Sequence, residues 1–234
     1  ETLGDAFTCY AIDLPAHGQS QWQADHYEVV DLTVGIGQIL QKEGKEKFYL
    51  LGHSFGGRLA LSLLEQAQHR IKGLVLIAPE GFRTPYLRLV DRLPKVAQQW
   101  ALRRIDHYKS TLKLAGLLQK VGLLNSFSYR FLQHHLSGPE RRQRLKITWK
   151  TLMQFRLSFN QIAAILERDH IRVLILLGAQ DSVLSSEAIS SKTVNWPHTE
   201  LYVLEGQHRL FNQPAQEQIM EWYLQGLTYP KPGL

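Results

Sequence analysis

The sequence predicts an α/β fold, a mostly parallel sheet with helices on both faces, interrupted by one long helical insertion. Three observations predict it. Five short β-rich or apolar runs, starting at Phe7, Phe48, Ile71, Val173 and Thr199, read as strands. Segments with apolar residues at helical spacing lie between most of them, the rhythm of parallel strands joined by crossover helices. One strand-to-helix junction carries Gly52-His53-Ser54-Phe55-Gly56, a G-x-S-x-G sequence. A chain that turns from strand to helix in so little space holds its turn residue in a strained conformation with the side chain pushed outward. Side chains at Gly52 and Gly56 are expected to collide where strand and helix cross. Ser54 is then left at a strand tip and a helix N-terminus, where the helix dipole favours negative charge.

In chain order, Phe7–Ile12 is β-rich and reads as a strand, with Cys9 as a core residue. Asp13-Leu-Pro-Ala-His-Gly-Gln-Ser20 reads as a loop in which Asp13 and His17 are structural. Tyr27–Glu43 has helical periodicity and ends at Gly44. Phe48–Leu51 is the strand before the turn, and Arg58–Leu64 the helix after it. Ile71–Ala78 is a strand stopped by Pro79. Residues 83–156 break the alternation and read as helices over Tyr86–Leu93, Lys95–Leu118, Ser126–Leu136 and Gly138–Phe155. Val173–Gly178 is a strand followed by Ala179-Gln180-Asp181. Thr199–Leu204 is another, followed by Glu205-Gly206-Gln207-His208. Gln213–Gly226 is a closing amphipathic helix. The chain therefore divides into residues 1–82, the helical insertion 83–160, and 161–234.

Composition restricts the function classes. The chain has 234 residues, is 44% hydrophobic and 21% charged, and suits one large core. A single cysteine rules out an intrachain disulfide, so the fold needs no oxidising compartment. No apolar run approaches the ~18 residues of a membrane-spanning helix, and a cytoplasmic location is the expectation. There is no Cys/His ligand cluster and no G-x-x-x-x-G-K, so neither metal nor organic cofactor is expected. Charge is unevenly distributed. Residues 83–156 hold 16 Lys and Arg against Asp91, Asp106 and Glu140, a net +13, which leaves −7 for the rest. Such asymmetry suits an anionic partner: a membrane surface met peripherally, or an anionic group on the substrate. A merely solvated basic surface explains it as well. No nucleic-acid motif is present, and nucleic acid is not expected.

The turn at Ser54, in its strand–helix context, resembles the nucleophile elbow of the α/β-hydrolase family, in its serine-hydrolase branch. The resemblance implies the chain order nucleophile, acid, histidine, which Ser54, Asp181 and His208 match. It implies that His208 acts as general base, that Asp181 orients it, and that the Phe55 N–H contributes to an oxyanion hole. Glu80, after the strand ending at Ala78, is a second position at which some relatives carry the acid. His53 is expected to project away from the site. In the family the insertion at residues 83–160 forms a lid. The implied reaction is hydrolysis of a carboxylic ester or thioester of a small-molecule acyl substrate, lipid-like or anionic. A carbon–carbon bond hydrolase, an acyltransferase or a non-catalytic binding protein are the alternatives. Family members place about three strands before the one at Phe7, and a His-Gly loop there donates the second oxyanion N–H. The chain begins at Glu1 rather than methionine, so either this segment lies upstream of the given sequence or the protein is a truncated form that lacks it.

Overall fold

The structure is a computed structural model. It describes residues 3–4, 6–82, 94–124, 126–155 and 157–228. The expected helix Tyr86–Leu93 lies outside these residues. The chain forms two compact units, one of Glu1–Tyr10, Val29–Thr84 and Phe155–Leu234, the other of Ala11–Glu28 and Pro85–Gln154.

The first unit is built on four parallel strands in the order β1 (Phe48–His53), β2 (Ile71–Ile77), β3 (Arg172–Gly178) and β4 (Thr199–Leu204). β2 and β3 are buried almost throughout, as expected of parallel strands covered on both faces. Their two faces separate by the two-residue period of a strand. Leu74, Leu76, Val173, Ile175 and Leu177 face one core, shared with helices α2 (Phe55–Ala67) and α7 (Phe159–Arg168). Val75, Ile77, Leu174 and Leu176 face the other, closed by Ala215, Ile219 and Trp222 of helix α9 (Gln213–Thr228). Helices thus cover both faces of a parallel sheet, as the alternation of elements predicts. Helices α1 (Val29–Lys42) and α8 (Ser186–Thr193) complete the unit. Helix α8 was not legible in the sequence; it starts at an N-cap, where the Ser185 hydroxyl accepts from the Ala188 N–H at 3.1 Å.

The second unit contains helices α3 (Lys95–Asp106), α4 (Tyr108–Lys120), α5 (Ser126–Leu136) and α6 (Pro139–Gln154). It also takes in the Asp13 loop. The Asp13 carboxylate accepts from the Gln19 N–H at 2.9 Å, and the Ser20 hydroxyl donates to the Asp13 carbonyl at 2.7 Å. Gly18, at φ 53°, leaves the space that the Asp13 carboxylate fills. This loop is tied to α6, where Arg144 donates to the Ala16 carbonyl and Lys150 pairs with Asp25.

Two expectations are corrected. The helix predicted over Lys95–Leu118 is broken at His107, where φ is −83° and ψ 40°. The Ser110 hydroxyl donates to the carbonyl of His107 and the Thr111 hydroxyl to that of Arg104, so side chains satisfy carbonyls at the break. Residues 7–12 form no strand, and Cys9 is exposed rather than a core residue. The segment has β propensity, but it pairs with no strand among the described residues. Phe7 alone packs inward, with its ring 5.7 Å from that of Tyr49 and 4.4 Å from that of Tyr223. Among the described residues, no helix is long and apolar enough to cross a membrane.

Candidate active site

Ser54 lies directly after β1, between the strand and α2, at φ 50° and ψ −116°. A positive φ at a residue with a Cβ costs of order 1–3 kcal/mol and persists only where surrounding bonds over-determine it. Here they do. The Ser54 N–H donates to the Ile77 carbonyl at 2.9 Å. The Ser54 carbonyl accepts from the N–H groups of Gly57 at 2.9 Å, Glu80 at 2.8 Å and Arg58 at 3.4 Å. Of the two glycines expected to be sterically required, Gly52 is and Gly56 is not. A Cβ on Gly52 would fall 2.7 Å from the Gly57 nitrogen and closer still to the Gly56 carbonyl. A Cβ on Gly56 itself would meet nothing within 4 Å, whereas one on Gly57 would meet the Pro79 Cβ at 2.7 Å. The steric requirement therefore falls on Gly52 and Gly57. The reason is that β1 crosses the first turn of α2 at Gly52, while α2 passes the end of β2 through Gly57.

Asp181 follows the end of β3 and His208 the end of β4, so both residues and Ser54 lie at the same, C-terminal edge of the sheet. His208 Nε2 lies 2.9 Å from Ser54 Oγ. On its other side, His208 Nδ1 lies 2.8 Å from Asp181 Oδ2. A carboxylate accepts only, so this contact fixes the tautomer: Nδ1–H donates to Asp181, and Nε2 is left to accept the Ser54 proton. The Asp181 side chain is 3% exposed, and its other oxygen accepts from the N–H groups of Val183 at 2.7 Å and Leu184 at 3.0 Å.

Glu80 is placed elsewhere. Its carboxylate pairs with Arg58 at 3.3 Å, and the Arg58 guanidinium also donates to the Phe155 carbonyl. Arg58 is buried, and the pair joins the start of α2 to the loop after β2. Phe55 is the first residue of α2, a position whose N–H has no acceptor within the helix.

Two further groups, not anticipated from the sequence, shape the site. Gln180 bridges the acid and histidine loops. Its backbone N–H donates to the Gly206 carbonyl at 2.9 Å, its side-chain oxygen accepts from the Gly206 N–H at 2.8 Å, and its side-chain nitrogen donates to Glu205 at 2.6 Å. Only its position beside Asp181 could have signalled this. His53 does not project away from the site. Its ring lies 5.2 Å from the His208 ring and 4.9 Å from that of Phe211, and its Nε2–H donates to the His208 carbonyl at 2.9 Å.

Burial pushes the His53 pKa below the usual imidazole value. The positive charges of His208 and Arg209 act in the same direction, while the bond to the His208 carbonyl and the Asp181 charge oppose it. The unfolded chain therefore takes up the His53 proton at a higher pH than the folded one. The stability His53 contributes is present above about pH 6.5 and is lost as pH falls towards the lower folded value. Parent and His53→Asn, compared by thermal unfolding from pH 8 to pH 5, are expected to differ most at pH 8 and to converge at pH 5. A gap independent of pH would remove the titration of His53 from the account.

A family model described as alpha/beta hydrolase fold matches residues 1–212. The chain belongs to this family. Among curated relatives of this α/β-hydrolase chain, an uncharacterized protein of Mycobacterium tuberculosis is 25% identical over 217 residues, covering 87% of the chain and 62% of the relative. A monoacylglycerol lipase of Xenopus laevis is 30% identical over 132 residues, 54% of the chain and 38% of the lipase. The chain spans at most 62% of the length of the first curated relatives it matches. Among solved structures, an esterase from Thermogutta terrifontis superposes with a TM-score of 0.60 at 16% identity, over 90% of this chain and 77% of the esterase. A monoacylglycerol lipase of Paleococcus ferrophilus gives 0.55 at 20% identity, over 96% and 86%. At these identities the structural likeness speaks to the fold alone.

Proposed function

We propose that this α/β-hydrolase chain carries a serine-hydrolase site that cleaves a carboxylic ester or thioester. One observation carries the reading: a continuous hydrogen-bonded row from Ser54 Oγ through His208 to Asp181. A buried carboxylate, an imidazole and a strained serine set in this order form a relay for moving one proton away from a nucleophile. In the first step His208 Nε2 takes the Ser54 hydroxyl proton as Oγ bonds to the acyl carbon and the carbonyl electrons move onto oxygen. Asp181 stabilises the imidazolium formed. The Phe55 N–H, at the positive end of α2, donates to the developing oxyanion. Collapse expels the alcohol or thiol, which leaves with the proton from His208. Water, deprotonated by His208, then attacks the acyl-serine and releases the acid and Ser54.

The relative known as a monoacylglycerol lipase, 30% identical over 132 residues, suits an ester of a lipid-like acyl group. The test is covalent labelling with a fluorophosphonate, read by intact mass. Expected is a single adduct on the parent chain and none on Ser54→Ala. A folded parent chain that takes no adduct, or an adduct that survives Ser54→Ala, overturns the reading. In that case a binding protein of the same fold becomes the better account. Carbon–carbon bond cleavage by the same three residues is the second reading; a relative named 2-succinyl-6-hydroxy-2,4-cyclohexadiene-1-carboxylate synthase is 35% identical over 95 residues. Screening unlabelled protein against ester, thioester and carbon–carbon substrates separates these readings, and transfer of the acyl group to an alcohol instead of water identifies an acyltransferase.

A further inference from the structure

The second unit contains a surface that the proposed ester chemistry does not use. On α3, Val96 and Trp100 lie one turn apart and are 78% and 62% exposed. On α4, Leu114, Leu117 and the following Val121 recur at i, i+3 and i+7, and are 48%, 58% and 60% exposed. Leu123, in the turn after α4, is 77% exposed. Large aliphatic and aromatic side chains gathered on two consecutive helices and one turn are a costly thing to leave in water.

Cations flank them. Residues 94–124 hold Lys95, Arg103, Arg104, Lys109, Lys113 and Lys120 against one acid, Asp106, and that acid pairs with Lys146. Arg103, Lys109, Lys113 and Lys120 pair with no carboxylate among the described residues. The Arg104 guanidinium lies over the Trp100 ring at 5.7 Å, which holds a cation beside an exposed aromatic side chain. The cations of α6 are used differently: Lys146 and Lys150 pair with Asp106 and Asp25, Arg144 binds the Ala16 carbonyl, and Arg142 stacks on Tyr108 at 4.2 Å.

We propose that the exposed face of α3, α4 and the turn through Leu123 is a docking surface for an anionic lipid bilayer, with Trp100, Leu117, Val121 and Leu123 entering the interface and Arg103, Lys113 and Lys120 at the headgroups. Each half of the pattern is rewarded there. Aliphatic side chains leave water for the acyl boundary, and cations meet anionic headgroups. Tryptophan, apolar in body with one polar N–H, suits the same depth. A nucleic acid would engage the cations but leave Val96, Leu114, Leu117 and Val121 exposed to water or to phosphate. A second copy of the chain, meeting this face with the same face, would bring two basic sets together and be repelled. The inference does not rest on the proposed ester chemistry, because binding is measured without turnover.

The test is sedimentation of the full chain with sucrose-loaded vesicles of phosphatidylcholine alone, or with a quarter phosphatidylserine, at 0.1 M salt. Expected is binding to the anionic vesicles, at least tenfold weaker binding to neutral ones, and loss on raising salt to 0.5 M. Lys113→Gln with Lys120→Gln is expected to weaken anionic binding about tenfold or more, since each cation near such a surface is worth about fivefold. Leu117→Ser with Val121→Ser is expected to weaken binding to both vesicle types. Tryptophan emission should shift to the blue on vesicle addition in the parent and not in Trp100→Phe. All these positions are exposed, so far-UV circular dichroism and unfolding temperature should match the parent and confirm the fold. A folded parent that sediments with neither vesicle overturns the proposal. So does binding that none of these variants weakens. Self-association in velocity sedimentation, or oligonucleotide binding, that these same variants abolish in a chain that does not bind vesicles assigns the face to that partner instead.

Discussion

His208→Ala is expected to lower kcat for an activated ester by on the order of 10⁶, and Ser54→Ala by the same amount. The double variant should be no worse than either single. Ser54 Oγ and His208 Nε2 are 2.9 Å apart and act on one proton, so removing one leaves nothing for the other to do. Stability separates this from a folding defect. Ser54→Ala keeps every backbone bond of the turn, because the Ser54 N–H and carbonyl make them and the hydroxyl does not. Its unfolding temperature should match the parent's within a degree or two. Kinetic losses that simply added in the double variant would mean that the two residues act independently, which contradicts a shared proton transfer.

The second large effect distinguishes two acids. Asp181→Asn is expected to lower kcat by about 10⁴, because an amide at that position presents an N–H to His208 Nδ1 and favours the wrong tautomer. Glu80→Gln should leave kcat within about tenfold, since its carboxylate faces Arg58. The cost of Glu80→Gln is instead stability. Removing one partner of a buried ion pair costs about 3–5 kcal/mol, and a pair with one quarter-exposed member should lose less, about 2 kcal/mol. Steady-state kinetics and denaturant unfolding of both variants check the two halves together. If Glu80→Gln abolished turnover and Asp181→Asn did not, the acid would be Glu80.

The parts of this site that were legible from sequence are those determined by local pattern. Ser54, Asp181 and His208 each follow an apolar run directly or by a short turn. Runs that become parallel strands end at the same edge of one sheet, so their next residues meet. The break at His107 was not legible, because Ser110 and Thr111 compete with the helix through their side chains only once a turn has formed. Nor was the absence of a strand at Phe7–Ile12: propensity speaks of the residues, and a strand needs a neighbour. His53 was misjudged for a related reason. Alternation along β1 directs it away from Ser54, but the loop after β4 comes round to meet it, a contact spanning 155 positions. Glycine in a G-x-S-x-G-G run does not tell which of Gly56 and Gly57 is sterically required; the position of Pro79, in the loop after β2, decides it.

The bridge made by Gln180 has a consequence for how such a site can be altered. Three bonds from one residue join the loop of the acid to the loop of the histidine. The two loops therefore behave as one cassette with two attachment points, at the ends of β3 and β4. Exchanging the histidine loop alone for that of a relative would discard the partners at Glu205 and Gly206 and leave Gln180 with nothing to join the two loops. Exchanging both together, with Gln180, would carry the acid–base geometry across intact. In a recombination experiment the unit of inheritance at this edge of the sheet is the pair of loops, not either loop alone.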